Sequence, residues 1–241
     1  MMRALILALA LALGTGNTLP TLDEEIELLV TEGKVDEAYD LARAAAKRGD
    51  ADAQDWLGWF HETGKGRKVD LRKAAEHYRK AADGGDNHAA WRLGVLIDSG
   101  KVSGRPEEAV ALFQAAADRN FPAALVSLAV MQATGRGTPK DHTAAMANYL
   151  AAAKLGHPHG VRGVGIMFYL GEGVTQDVVE AAAWFLASAA MGNEEAQQSL
   201  EAMADEVPAG RGAAIVERAK AIAAELGVEV DITFETEAPA S

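Results

Sequence analysis

The side chains of this sequence that could bind a metal ion or transfer a proton include six histidines. Only His157 and His159 lie close together, and their spacing predicts that the two rings do not share a helix face. No acidic residue stands beside them in the chain to complete a ligand set. His61 precedes Glu62, but a zinc-peptidase motif needs a second histidine four residues after the first, where this chain has Lys65. The sequence therefore predicts no metal site.

The hydroxyl and thiol groups of the chain do not indicate a catalytic nucleophile. There is no cysteine, which excludes thiol catalysis, disulfide bonds and thiolate zinc sites. Ser127, Ser188 and Ser199 lie within predicted helices and lack the elbow motif that exposes a catalytic serine. Because no nucleophile is paired with a base, we predict that the protein is not an enzyme and needs no cofactor.

A Gly-x-Gly at residues 171–173 could be a phosphate-binding turn, which requires a strand before it and a helix directly after it. The same pattern recurs at residues 64–66 and 135–137, each time after a predicted helix. The three copies therefore indicate turns between helices and not a nucleotide site.

Composition favours a helical protein that avoids nucleic acid. Apolar residues make up 49% of the chain and aromatic residues only 6%, so much of the apolar content is alanine, the best helix former. The net charge is −12, from 23 basic and 35 acidic residues. A chain this acidic repels nucleic acid and anionic lipid headgroups, and we predict neither as a partner.

The first residues, MMRALILALALALGTG, have the pattern of a secretory signal. Arg3 precedes an apolar run from Ala4 to Leu13, which small residues follow. The run is shorter than the roughly 20 residues that span a membrane. We predict that residues 1–16 are a signal peptide, cut after Gly14 or Gly16, and that the protein is exported to a bacterial periplasm without a lipid anchor. The alternative is an apolar first helix.

A period of 35 or 36 residues runs through the middle of the chain. Small residues recur in mid-helix positions, glycines recur at helix ends, and aromatic residues recur in a third series. The series are Gly58, Gly94, Ala129 and Gly165; Gly64, Gly100, Gly135 and Gly171; and Tyr78, Phe113, Tyr149 and Phe185. Such a period is the signature of a repeat architecture.

Each period predicts two helices. The first helices are expected at residues 51–63, 88–99, 123–134 and 159–170, and the second begin near Asp70, Arg105, Asp141 and Asp177. Aspartate is a favoured N-cap, and Asp177 with Glu180 has the spacing of a capping box. Glycine inside a helix costs about 1 kcal/mol relative to alanine, so the mid-helix glycines indicate close approach of a neighbouring helix.

The pattern Leu-Gly, Gly-x-Gly, Asp, aromatic and Gly resembles the Sel1-like repeat, a longer relative of the tetratricopeptide repeat. The unit VGIMFYLGEGVTQDVVEAAAWFLASAAMGN is the most similar to the family pattern. Where the family has a tyrosine, only this unit has an aromatic residue, Phe168. In the second unit, Pro106 stands near the helix start where the family has Asp. The resemblance implies an all-α, right-handed α-solenoid of about six helix pairs. We predict four repeats at residues 51–86, 87–121, 122–157 and 158–193, a helix pair at 22–49, a capping pair at 194–227 and an acidic flexible tail at 228–241.

A solenoid of helix pairs exposes a concave face lined by its first helices. Residues that vary in chemistry between otherwise similar units are the candidates for partner binding. They are Asp55, Glu62, Trp91, Asp98, Arg162 and Tyr169. The alternative role for Trp91 is packing against an adjacent repeat instead of binding a partner. Trp59 is predicted to lie in the core, because it aligns with aliphatic residues of the other repeats.

The resemblance implies a function, because Sel1-like proteins are mostly interaction scaffolds and some exported ones regulate envelope signalling. We therefore expect a non-enzymatic scaffold that binds a protein or peptide of unknown identity on its concave face. Two alternatives stay open. One is a cell-wall-directed hydrolase of the β-lactamase-like kind that has been linked to cysteine-rich relatives, and the other is a small-ligand binder in the groove.

Overall fold

The computed structural model describes residues 20–232, so the predicted signal peptide lies outside the described part of the chain. Between these limits the chain forms helices joined by short turns, with no strand. The all-α prediction and the arrangement in helix pairs are confirmed. The helices fall into two compact units, one ending at Ser103 and one beginning at Gly104.

Within residues 20–103, the described part of the first unit, five helices pack mainly against their neighbours in sequence. The helices are α1 (Leu22–Thr31), α2 (Val35–Ala46), α3 (Ala51–Thr63), α4 (Leu71–Asp83) and α5 (Asn87–Asp98). First helices of successive pairs also touch, since α3 contacts both α1 and α5. Ile26, Phe60 and the alanines of α2 form the core at the amino-terminal end of this unit.

The second unit repeats the same helix-pair packing, and its last two described helices both pack on the helix Val178–Ala190. Its helices are α6 (Pro106–Ala117), α7 (Pro122–Thr134), α8 (His142–Lys154), α9 (Pro158–Leu170), α10 (Val178–Ala190), α11 (Glu194–Ala202) and α12 (Gly212–Glu225). A 3-10 turn at Ala204–Glu206 precedes α12, which packs on α10. Helices α7 and α9 begin one residue earlier than predicted, because proline is favourable at the first helical position.

The second helices begin where the aspartates are. The side chains of Asp70, Asp141 and Asp177 each accept a hydrogen bond from a first-turn amide. The capping box expected at Asp177 is incomplete, because the carboxylate of Glu180 instead accepts hydrogen bonds from Trp184 Nε1 and from Arg218. A guanidinium fork is a stronger partner for a carboxylate than one backbone amide.

Aromatic residues of the second helices lie on the small residues of the first. A β-carbon added at Gly58 would be 2.5 Å from ring carbons of Tyr78, and one added at Gly165 would be 2.8 Å from the ring of Phe185. The two rings are almost completely buried. Glycine is therefore required here by the close approach of a ring, and the first helix is held at a fixed distance from the second.

The second glycine of each Gly-x-Gly turn packs on the preceding helix pair. A β-carbon at Gly137 would lie 2.6 Å from the carbonyl oxygen of Pro106, at the start of α6. The backbone at Gly137 also has a φ of 68°, a value that glycine adopts without strain. These glycines therefore serve the turns between helices and the packing of one helix pair on the next, and not a phosphate-binding loop.

The first residues of the predicted tail contact the core of the second unit. Ile232 is buried and Val230 packs against the core of the second unit. Glu229 and Asp231, the residues on either side of Val230 in the chain, are exposed. The absence of a helix period at residue 228 therefore did not mean the end of the core. The remainder of the tail lies outside the described residues.

A helix that crosses a bilayer must be both long and strongly apolar. None of the helices between residues 20 and 232 meets both requirements.

Candidate functional site

A groove of about 380 Å³ lies on the first helices of the first unit. Helices α1 and α3 and the start of α5 form its walls. Its lining residues are Glu27, Val30, Thr31, Asp55, Trp56, Trp59 and His88. The groove therefore combines two indole rings, two carboxylates and one imidazole. This is the composition of a recognition site: large amphipathic rings beside a few polar groups.

The two tryptophans of the groove stand one helical turn apart on α3 and pack edge to face. The centroids of Trp56 and Trp59 are 5.4 Å apart with an angle of 83° between the planes. Trp56 Nε1 donates a 2.8 Å hydrogen bond to Asp23 Oδ1 on α1, which fixes the ring orientation. Lys65 Nζ lies 5.3 Å from the ring centroid of Trp59. Both indoles are partly exposed and rigidly held.

Asp55 and His88 form an ion pair across the groove. Asp55 Oδ2 is 2.8 Å from His88 Nδ1, and the hydrogen bond that His88 donates to Asp55 raises the pKa of His88 above 6.5 despite its partial burial. Asp55 Oδ1 is buried and has no hydrogen-bond partner. The carboxylate of Asp55 is thus only half satisfied, and its charge is balanced by His88 when the imidazole is protonated.

Glu62, another predicted binding residue, already has partners within the chain. Its side chain is 11% exposed and forms an ion pair with Arg92. The Tyr78 hydroxyl donates a 2.7 Å hydrogen bond to Glu62 Oε2, and burial raises the pKa of Tyr78 well above its ordinary value. Glu62 therefore ties α3, α4 and α5 together and offers little carboxylate surface to a partner.

The two other predicted residues of the first unit lie on α5. Trp91 is partly buried, with its ring 5.8 Å from that of His88 and the Arg92 guanidinium 5.2 Å from its centroid. Asp98, the last residue of the helix, is also partly buried. Trp91 thus lies one turn beyond His88 on the helix that borders the groove, and Asp98 lies at the far end of the same helix.

The two candidates in the second unit lie on α9. Arg162 is partly buried, and its Nε atom has no hydrogen-bond partner among the described residues. The Tyr169 hydroxyl donates a 2.6 Å hydrogen bond to Glu206, whose carboxylate raises the pKa of Tyr169. Tyr169 also packs against the core of this unit. Arg162 is therefore the better candidate of the two for contact with a partner.

A stacked pair of histidines lies beside Gln54, away from the groove. The rings of His61 and His77 are 5.5 Å apart and almost parallel, and His77 Nδ1 is 2.7 Å from Gln54 Oε1. Burial, with help from His61, Lys80 and Lys73, lowers the pKa of His77 to about 4. Burial likewise lowers the pKa of His61, and the two rings pack as part of the fold.

The rings of His157 and His159 come closer than the sequence indicated. Their centroids are 5.6 Å apart, with His157 at the N-cap position of α9 and His159 in its first turn. Glu195 Oε2, which is remote in sequence, is 3.1 Å from His159 Nδ1. Even so, residues 20–232 contain no group of three or more histidine and carboxylate side chains that could hold a metal ion.

The three serines considered as nucleophiles are bonded to backbone carbonyls. Ser188 donates to Pro158, Ser127 to Ala123 and Ser199 to Glu195. In the last two cases the acceptor lies four residues earlier, which is the usual arrangement of a serine inside a helix.

Sequence reasoning missed Glu27 and Trp56, and it assigned Trp59 to the core. The signal that could have found the two tryptophans is their spacing, because residues three apart share a helix face. Glu27 offered no signal, since its position opposite α3 depends on how α1 packs. The predicted site residues themselves remain candidates.

Comparison with known proteins identifies the repeat. The family model described as Sel1 repeat matches residues 51–86, 87–121, 122–157 and 158–193. An uncharacterized protein of Neisseria meningitidis serogroup B is 36% identical over 109 residues, which are 45% of this chain and 22% of that protein. The chain thus spans about a fifth of the length of this curated relative.

Two solved structures have the same fold. A Sel1 repeat protein from Oxalobacter formigenes is 28% identical, with a TM-score of 0.70 over 83% of this chain and 84% of that one. A protective antigen of uropathogenic Escherichia coli with an SLR fold has a TM-score of 0.75 and 21% identity, over 90% of this chain and 50% of that one. The latter likeness concerns the fold alone.

Proposed function

This chain belongs to the Sel1 repeat family, and we propose that it is an exported, non-enzymatic scaffold that holds a protein partner against its first helices. The repeat supplies a rigid frame, because rings of the second helices lie on glycines of the first at near-contact distance. Side chains on the other side of the first helices are released from this packing. They can vary to suit a partner without cost to the fold.

The observation that carries the proposal is the groove of the first unit. Trp56 and Trp59 stand partly exposed beside an open space of about 380 Å³, although neighbouring residues of α3 are fully buried. Tryptophan is the residue type most enriched at the energetic centres of protein interfaces. Rings that are already fixed by packing lose little conformational freedom when a partner binds.

Export is part of the proposal and rests on the sequence of the first 16 residues. A scaffold in the periplasm would meet secreted proteins and the external domains of membrane proteins. With a net charge of −12, the chain would be attracted to basic surfaces of such partners and would not be repelled by neutral ones.

Co-purification after brief cross-linking tests the proposal. The bait carries a C-terminal tag and is expressed in its native host. A matched pair of variants accompanies it: Trp91→Ala with Arg162→Ala on first helices, and Glu76→Ala with Lys154→Ala on second helices. We expect one exported or membrane protein to be enriched by the wild type and the second-helix variant, and lost with the first-helix variant. Background proteins alone, from a folded and exported bait, would contradict the scaffold function.

A small-ligand binder is the second candidate, because the groove volume lies within the range of small-molecule sites. A thermal-shift screen against metabolites separates the two candidates. A ligand at about 100 times its dissociation constant stabilises its site by about 2.7 kcal/mol. A specific shift that Trp59→Phe reduces, without any captured protein, would favour the ligand.

A further inference from the structure

The groove of the first unit has more acidic than basic groups next to its aromatic faces. Glu27 is exposed on α1, and its carboxylate has no ion-pair partner in the described structure. Asp55 lines the same space from α3 with a side chain that is 18% exposed and one oxygen that accepts no hydrogen bond. His88 is the one cationic group among the lining residues, and only when protonated.

The aromatic part of the groove is suited to a cation as well. A cation placed over an indole is attracted by the negative face of the ring, most strongly for tryptophan. The chain itself provides an example, since Lys65 Nζ lies 5.3 Å from the centroid of Trp59 although Lys65 does not line the groove. Trp56 is held beside Trp59 by its hydrogen bond to Asp23, so the second ring needs no ordering on binding.

We propose that this groove binds a lysine or arginine side chain presented by a partner protein, between the indoles of Trp56 and Trp59 and the carboxylates of Asp55 and Glu27. The inference rests on the proposed scaffold function and names the chemistry that its first unit recognises. Charge complementarity decides the occupant. An apolar side chain would bury the rings but leave Glu27 without a counter-charge, and an acidic one would be repelled.

The size and charge of the molecule agree with this occupant. About 380 Å³ holds one long side chain and part of its flanking backbone, but not a folded domain. The overall charge of −12 attracts basic segments over distances of about a Debye length, roughly 8 Å at physiological salt. A basic residue in an extended or loop segment of the partner would therefore be guided to the groove before contact.

The test uses short peptides, acetylated and amidated so that their ends are neutral. Each has the sequence Gly-Ala-Gly-X-Gly-Ala-Gly, with lysine, arginine, glutamine or norleucine at X. Binding to the full chain is followed through the indole N–H signals of the tryptophans by NMR. Trp184, whose Nε1 donates to Glu180 in the second unit, is the internal reference. We expect saturable shifts at Trp56 and Trp59 with lysine and arginine, and at least about tenfold weaker binding with glutamine and norleucine.

Two substitutions separate charge from shape. Asp55→Asn keeps the shape of the side chain and can still bond to His88, so the fold should persist while lysine-peptide affinity falls about tenfold. The matched control is Asp83→Asn, which removes one carboxylate from the same unit outside the groove and should leave affinity unchanged. Any of three results would overturn the proposal. The norleucine and lysine peptides bind equally well, the two substitutions have equal effects on affinity, or the lysine peptide gives no saturable shift.

The outcomes also separate this inference from the scaffold function. If a partner protein is captured and Asp55→Asn does not weaken its binding, the scaffold function stands and the cation site is refuted. If the lysine peptide binds as described but no protein is captured from the native host, the groove chemistry stands and the scaffold function is refuted.

Discussion

Replacing Gly58 by alanine tests the packing that holds the first helices in place. The new methyl carbon would lie 2.5 Å from Tyr78 Cδ1 and Cε1, and ordinary contact begins near 3.4 Å. Either the ring or helix α3 must therefore move by about 0.9 Å, the difference between these two distances. The ring is completely buried and cannot swing into solvent.

The cost follows from what Tyr78 is attached to. Its hydroxyl donates a 2.7 Å hydrogen bond to Glu62, which is also the ion-pair partner of Arg92. Overpacking of a core costs about 1–3 kcal/mol, and a weakened hydrogen bond to a charged group adds up to about 1.5–3 kcal/mol. Alanine is about 1 kcal/mol better than glycine within a helix. We expect Gly58→Ala to lower the free energy of unfolding of this region by about 1–3 kcal/mol.

Amide hydrogen exchange is the appropriate measurement, because helix pairs in a repeat protein can open separately. Protection of α3 and α4 should fall, whereas protection of α10 should not change. In a Tyr78→Leu background, where the ring is absent, the same substitution should be neutral or stabilise by up to about 1 kcal/mol. An equal loss in both backgrounds, or no loss in the wild type, would refute the argument from ring contact.

Three further predictions concern titration and the end of the repeat array. Because the pKa of His77 is lowered to about 4, its contribution to stability is present above pH 6.5 and is lost as the pH falls toward 4; His77→Leu should flatten urea midpoints measured across that window. Arg218 donates from Nε and Nη2 to Glu180 with distances of 2.9–3.1 Å, so Arg218→Met should cost about 1–2 kcal/mol and speed exchange of α12 on α10. Glu180→Gln should also destabilise α12, and costs that simply add in the double variant would contradict a shared bond. The pKa of His88 is raised above 6.5 by Asp55, so lysine-peptide affinity should rise with pH through the titration of His88, and a flat profile would refute their competition.

That last effect has a defined set of charges around it. Asp86 and Arg92 flank His88 on its own helix, Asp55 faces it from α3, and Glu27 lies across the groove on α1. When His88 is protonated it neutralises Asp55 and competes with an incoming cation. When the pH rises and the proton leaves, the groove regains negative charge and binds a cation more strongly. Loss of the same proton also weakens the ion pair between His88 and Asp55. The raised pKa of His88 therefore stabilises the folded state only at lower pH, where the imidazole is protonated.

The sequence by itself determined the architecture, because the repeat is defined by the spacing of residue types along the chain. Gly58 and Gly165, with the aromatic residues 20 positions later, recur at one period that does not depend on tertiary contacts. The aspartate caps at Asp70 and Asp141 act within one turn of their own helices, so residue type and position sufficed to place them. Helix pairs that pack mainly on their sequence neighbours make most of the fold readable in this way.

Only the tertiary structure decided which side chains remain available for a partner. Glu62 matched the expected face, but Arg92, 30 residues away, pairs with it and leaves it mostly buried. Trp59 matched aliphatic core positions, yet its greater size carries the indole past the packed layer to the groove edge. The groove joins Glu27 with His88, which are remote in the chain, and their juxtaposition depends on helix packing angles that one sequence does not specify. Residue spacing shows which side chains share a helix face. Contacts between helices that are remote in the chain, and the exposure that follows from them, are properties of the packed structure.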